Sequence, residues 1–149
     1  MEQNSITVKN VTKKFNDFML DHISFQVPAG CIVGFIGENG AGKSTTINLI
    51  LDQLQLDEGE IRILGEQNHS YLRKENIGVV FDECKFHSVL NAKDIAKILS
   101  GSYKTWDMNL FKEYMKRFNI PFDKSIEQFS KGMKMKLSII CALSHRPQI

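Results

Sequence analysis

The stretch Gly37–Ser44, "GENGAGKS", stands between the apolar run "CIVGFI" (Cys31–Ile36) and a segment in which Ile47, Ile50, Leu51 and Leu54 recur at helical spacing. It fits the pattern G-x-x-x-x-G-K-[ST] at every fixed position, in the strand–loop–helix setting that the pattern requires. Each residue type has a physical reason. The glycines let the backbone curl with its N–H groups turned inward, toward phosphate oxygens. The helix that starts near Gly42 adds its positive end. Lys43 is placed to reach the β- and γ-phosphates, the Ser44 hydroxyl to ligate Mg²⁺, and Thr45 to donate near the α-phosphate. Gly37, Glu38, Asn39, Gly40, Ala41, Gly42, Lys43, Ser44 and Thr45 are therefore the candidate nucleotide-binding residues.

Working outward, Ile6 and Val8 alternate with polar residues, as do Ile23, Phe25 and Val27, which predicts half-buried strands. Pro28–Gly30 is a turn. The runs Cys31–Ile36 and Ile77–Phe81 ("IGVVF") are continuously apolar and read as strands buried on both faces of a parallel sheet. "GEIRILG" (Gly59–Gly65) is a short strand between glycines. From Asn91 the period becomes helical. One face carries Ala92, Ile95, Ala96 and Leu99, and another carries Leu110, Phe111, Tyr114, Met115 and Phe118. A third helix spans about Ser130 to Ser144, with Met133, Leu137, Ile140, Cys141 and Ser144 on one stripe, before Pro147 blocks continuation. The expected organisation is an α/β nucleotide-binding core over 1–87 and a helical subdomain over 88–149.

Composition narrows the class. With 149 residues, 42% hydrophobic and 24% charged, the chain has the make-up of one globular domain. Its longest apolar runs are far shorter than the roughly 20 residues of a membrane span, and the N-terminus has no apolar segment of a signal peptide. A net charge of +2 gives no reason to expect nucleic acid. Three widely spaced cysteines (Cys31, Cys84, Cys141) suit reduced thiols better than a disulfide frame. The D-x-x-G and N-K-x-D elements of GTPases are absent; "NAKD" (Asn91–Asp94) has the letters in the wrong order.

The stretch "EQFSKGMKMKLSIICALSHRP" (Glu127–Pro147) resembles the signature segment of ATP-binding-cassette (ABC) transporter ATPases, in which a Ser-Gly-rich turn opens a long helix. Phe129, Ser130, Gly132 and Met133 fit that turn, with Lys131 in place of its usual first Gly. It lies 87 residues after Lys43 (130 − 43), with the helical region between. The resemblance runs from Ile6 to Pro147. It implies a P-loop NTPase core of ABC type with N-terminal β-strands, a helical subdomain and an incomplete parallel sheet. It implies ATP and Mg²⁺ as cofactors and Phe15 as the aromatic that stacks on adenine. It also implies that Ser130, Lys131 and Gly132 act in trans, on the nucleotide held by a second ATP-binding subunit. A transmembrane permease subunit would dock on the helical region and the Phe81–Val89 loop. The chain would then lie in the cytoplasm, on the inner face of the cell membrane, as part of a bacterial exporter of drugs or peptides.

"IGVVFDECKF" (Ile77–Phe86) carries an acid pair after an apolar strand, as catalytic strands of NTPases do. By the order of ABC motifs, however, Asp82, 39 residues after Lys43 (82 − 43), stands where the Q-loop Gln is usual. There it would face the metal. The strand with the metal Asp and catalytic Glu would follow the signature helix, so the expectation is a chain truncated after that helix and unable to hydrolyse ATP alone. The alternatives are a compact NTPase of another family using Asp82 and Glu83 as its acids, or a nucleotide-binding module that does not hydrolyse. The histidines His22, His69, His87 and His145 precede the place of the family's switch His and are assigned surface or packing roles.

Overall fold

The computed structural model describes residues 4–68 and 75–149; His69 lies outside them. The chain divides into two compact units, Met1–Lys74 and Glu75–Ile149. The segment Ile77–Phe81 thus belongs with the helices, where the sequence reading had placed it with the nucleotide core.

In the first unit, β1 (Asn4–Lys14) pairs antiparallel with β2 (Met19–Pro28) on one side and β3 (Glu58–Ile63) on the other. The two-residue β4 (Glu66–Gln67) completes the order β2-β1-β3-β4. The predicted alternation holds in β2, where Ile23, Phe25 and Val27 are half-buried between exposed Ser24 and Gln26, and Val8, Val11, Leu20 and Ile61 are buried together with Leu49 of helix α1 (Lys43–Ile50). Each such side chain contributes about 1.5–3 kcal/mol by leaving water. The β1 register shifts around Asn10, whose φ is +48°. The buried Asn68 amide donates to the Leu49 carbonyl at 2.7 Å, near the end of α1, where Asp52 N–H donates to it as well. On α1 itself the buried residues are Thr46 and Leu49, while Ile47, predicted to face the core, is 46% exposed. The helix ends at Ile50, so Leu51 and Leu54 do not extend its stripe.

In the second unit, α2 (Ala92–Ser102), α3 (Met108–Arg117) and α4 (Lys131–Ser144) bury Ile95, Phe111, Met115, Leu137 and Ile140 in one core, as their periodicity predicts. Each helix starts on a side-chain cap. Asn91 and Asp94 form a reciprocal capping box on α2, the Asp107 carboxylate accepts from the N–H groups of Asn109 and Leu110, and Ser130 Oγ accepts from Met133 N–H. The Cys141 thiol, buried in this core, has its pKa pushed up to about 12, chiefly by desolvation.

Two sequence expectations fail here. Cys31–Ile36 forms no strand and is exposed throughout, with Ile32 and Ile36 fully so; Ile77–Phe81 is likewise no strand, and Val79, Val80 and Phe81 are exposed. No parallel strand pair forms among the described residues. The physical reason is pairing: an apolar run becomes a strand only when neighbours satisfy its N–H and C=O groups. What pairing exists is short: Gly78 N–H donates to the Ile149 carbonyl (2.8 Å), and Gln148 and Ile149 N–H donate to the Asn76 carbonyl.

Candidate functional site

The loop before α1 is built by two glycines in the left-handed region, Gly40 (φ +86°) and Gly42 (φ +88°). Gly42 is the N-cap of α1, so the helix begins with no side-chain cap and no acidic residue in its first turn. The N–H groups of its first turn therefore remain available to an anion. The positive φ of Gly42 favours glycine there, and an added Cβ would also displace side-chain ends, standing 2.4 Å from Leu20 Cδ2 and 3.0 Å from Phe18 Cζ. Both come from β2 and its entry, so the hairpin lies beside the end of the loop.

Lys43 turns back into this loop, its ammonium donating to the Gly37 and Glu38 carbonyls, both at 2.6 Å. Ser44 is exposed, and Thr45 is half-buried. A pocket of about 510 Å³ opens here, lined by Phe18, Asn39, Gly40, Gly42, Lys43, Ser44 and Thr45. That volume lies within the range of small-ligand sites. The structure thus assembles the loop residues named from sequence, with Gly37, Glu38 and Ala41 in the turn behind: Ala41 N–H donates to the Glu38 carbonyl. The donor set fits a polyphosphate. The first turn of α1 has no side-chain cap, Lys43 lines the pocket with its ammonium held on the Gly37 and Glu38 carbonyls, and a serine hydroxyl on the first turn could join a hard cation. Among the described residues no group of three or more His, Cys, Asp or Glu could hold a metal by itself.

Phe15 stands at the edge of this site, 44% exposed, and does not line the pocket. Phe18 does, and the sequence reading missed it. Nothing in the spacing of "KKFNDFML" tells one phenylalanine from the other; only the closure of the hairpin turns the second ring onto the loop.

In the second unit, Ser130, Lys131 and Gly132 are exposed at the start of α4, where Ser130 is already engaged as cap. Asp82 and Glu83 are exposed, and Glu83 pairs with Lys85 at 3.5 Å. No feature of that surface pair favours the reading of Asp82–Glu83 as catalytic acids. A groove of about 210 Å³ is lined by Phe81, Glu83, Phe86, Leu99 and Tyr103, among others. His145 closes it from below, 2% exposed and stacked on Tyr103 at 4.2 Å, in the packing role expected of it. His22 and His87 are exposed. No helix among the described residues is long and apolar enough to cross a membrane.

Comparison with known proteins bears on these features. Residues 20–149 match the family model described as "ABC transporter". The chain is 30% identical over 151 residues to an uncharacterised ABC transporter ATP-binding protein, YhaQ, of Bacillus subtilis, covering 97% of this chain and 50% of that one. It is 32% identical over 150 residues to the bacitracin transport ATP-binding protein BcrA of Bacillus licheniformis, covering 97% and 49%. The chain thus spans about half the length of these curated relatives. The solved structure of an ATP-binding subunit of an ABC transporter superposes with a TM-score of 0.82 at 24% identity, over 95% of this chain and 62% of that one.

Proposed function

Because the chain belongs to the ABC transporter family as an ATP-binding domain with an α/β P-loop fold, we propose that its glycine loop binds Mg–ATP for a transporter. The observation that carries this is the loop itself: the uncapped N-terminus of α1 beside the Lys43 ammonium, in a pocket that Ser44 and Thr45 also line. The N–H groups of the first turn and Lys43 hold the phosphates, exchanging the Gly37 and Glu38 carbonyls for phosphate oxygens. Ser44 offers its hydroxyl to Mg²⁺, whose chemistry is neutralisation of the β- and γ-phosphate charge. Phe15 offers its exposed ring face to the base. Asp82, at the Q-loop position, is the second candidate metal-side group.

In the complete protein, Ser130, Lys131 and Gly132 meet the nucleotide of a second ATP-binding subunit, homologous or identical. Ser130 serves as the cap that holds this end of α4 open to anions, and Lys131 adds positive charge. Hydrolysis by the complete protein is coupled to transport through a transmembrane permease subunit, seated on the groove beside Phe81, Phe86, Leu99 and Tyr103. That places the protein on the cytoplasmic face of the cell membrane. Export of a drug or peptide is the narrower reading, in keeping with the bacitracin transport relative.

Titration calorimetry of the chain with ATP and Mg²⁺ tests the site, and a phosphate-release assay tests hydrolysis. The expected result is binding that Lys43→Ala weakens at least about tenfold, the loss of one charge-assisted hydrogen-bonding group, without phosphate release by this chain. Unchanged affinity in Lys43→Ala would refute the site, and turnover abolished by Glu83→Gln would restore the catalytic-acid reading.

A further inference from the structure

The β1–β2 hairpin ends in a four-residue loop, "FNDF" (Phe15–Phe18), with a phenylalanine at each end. The Phe15 N–H donates to the Phe18 carbonyl at 2.8 Å, closing the loop and setting both rings on one side of it. Their centroids are 6.2 Å apart with the planes tilted by 31°, which is the offset contact that aromatic pairs favour. The two rings live in different surroundings. Phe15 is 44% exposed, with the Lys13 ammonium 5.8 Å from its ring centroid. Phe18 is half-buried, packs on the core of the first unit and lines the mouth of the phosphate loop together with Gly42. Among the described residues Phe18 is the one aromatic that lines the loop pocket.

We propose that Phe18 is a positioning residue that joins the base platform to the phosphate loop. Its ring is wedged between Phe15 and Gly42, and so sets the distance at which a nucleotide's base and phosphates can be held at once. The inference rests on the nucleotide-binding reading above and adds a residue to it. Without the wedge, Phe15 has no partner across the hairpin loop and its exposed ring samples other rotamers. A base stacked there would no longer be in register with the loop. The phosphate loop itself, still held by Leu20 against Gly42 and by the bonds of Lys43, would keep its affinity for phosphate. Phe18 would thus decide how far the base adds to binding, while Lys43 and the first-turn N–H groups hold the phosphates.

The readout is the ratio of dissociation constants for tripolyphosphate and ATP, each measured with Mg²⁺ by calorimetry. This ratio isolates what base and ribose add. Stacking of one base on an aromatic ring corresponds to about 1–3 kcal/mol, or roughly 5- to 150-fold. Phe15→Ala is expected to collapse the ratio toward one. Phe18→Ala is expected to lower it by about tenfold with Phe15 intact, while tripolyphosphate binding changes less than about twofold. The double variant should be no worse than Phe15→Ala alone, since the two rings act as one unit. Phe18→Tyr, which keeps the wedge, should restore the ratio. A merely structural Phe18 predicts the opposite: Phe18→Ala weakens both ligands equally and leaves the ratio unchanged. That result, or additive losses in the double variant, would overturn the proposal. Failure of the unsubstituted chain to bind either ligand would instead remove the nucleotide-binding reading, and this inference with it.

Discussion

Asp107 shows how much one side chain can tie together. Its carboxylate caps α3 through two N–H groups and receives Arg146 Nη2 at 2.7 Å, while its own N–H donates to the Ser144 carbonyl at the end of α4. The helix N–H groups, the Leu110 bond above all, and then the Arg146 guanidinium, hold its pKa below the ordinary 3.8. A depressed carboxylate contributes stability that is complete above its unfolded value and is lost as pH falls through the lower folded one. Urea midpoints are therefore expected to be level with respect to this group above about pH 5, one unit or so over its unfolded pKa, and to fall below pH 3.8. In Asp107→Ala that acid limb should flatten and the plateau should drop. An unchanged acid limb would show that the group does not carry the dependence. Such capping was open to prediction, because it is a matter of residue type and spacing. Ser130 was named as a cap from its string alone, and Met133 N–H meets it.

At the scale of elements, the glycine that β3 depends on is Gly59. Its φ is +92°, and a Cβ there would lie 2.3 Å from the Asn10 carbonyl oxygen, where β1 is bulged. Neither backbone can give way without breaking the ladder between β1 and β3. Gly59→Ala is expected to cost about 2–3 kcal/mol from strain and positive φ together, seen as a lower thermal midpoint. The exposed Gly65→Ala at φ +85°, with open space around it, should cost less. A loss at Gly59 no larger than at Gly65 would count against the close approach. The sequence marked Gly59 and Gly65 alike as bounds of a strand, since contact across a bulge has no local signature. The same limit explains α1. A 3.6-residue period pointed at Ile47, Ile50, Leu51 and Leu54; Ile50 and Leu54 do pack on the core, but burial follows where the sheet lies, which buries Thr46 and Leu49 and leaves Ile47 exposed. Helices whose core is made mostly by one another, such as α2 and α3 with Phe111 and Ile95, were legible because period and partner agree.

Over the whole molecule, the strands misjudged from sequence are those that find no ladder partner among the described residues. Cys31–Ile36 and Ile77–Phe81 have the apolar residues of buried strands and lie exposed. Ile32, Val33, Phe35 and Ile36 form a contiguous apolar stretch, of the kind that drives association. The 149-residue chain is expected to self-associate, giving a light-scattering mass above the 17.0 kDa of one copy. Replacing both Ile32 and Ile36 by Lys should shift the mass toward 17.0 kDa; a monodisperse monomer of the unsubstituted chain would contradict this. The phosphate loop was legible because its pattern is a matter of residue type and spacing. Leu20 and Phe18 reach across from the hairpin to Gly42, whose φ of +88° favours glycine. The motif is therefore not portable as eight letters: grafted onto another scaffold, "GENGAGKS" would carry its donors but not the surface that bends them. Its natural unit of inheritance is the loop together with the hairpin beneath it.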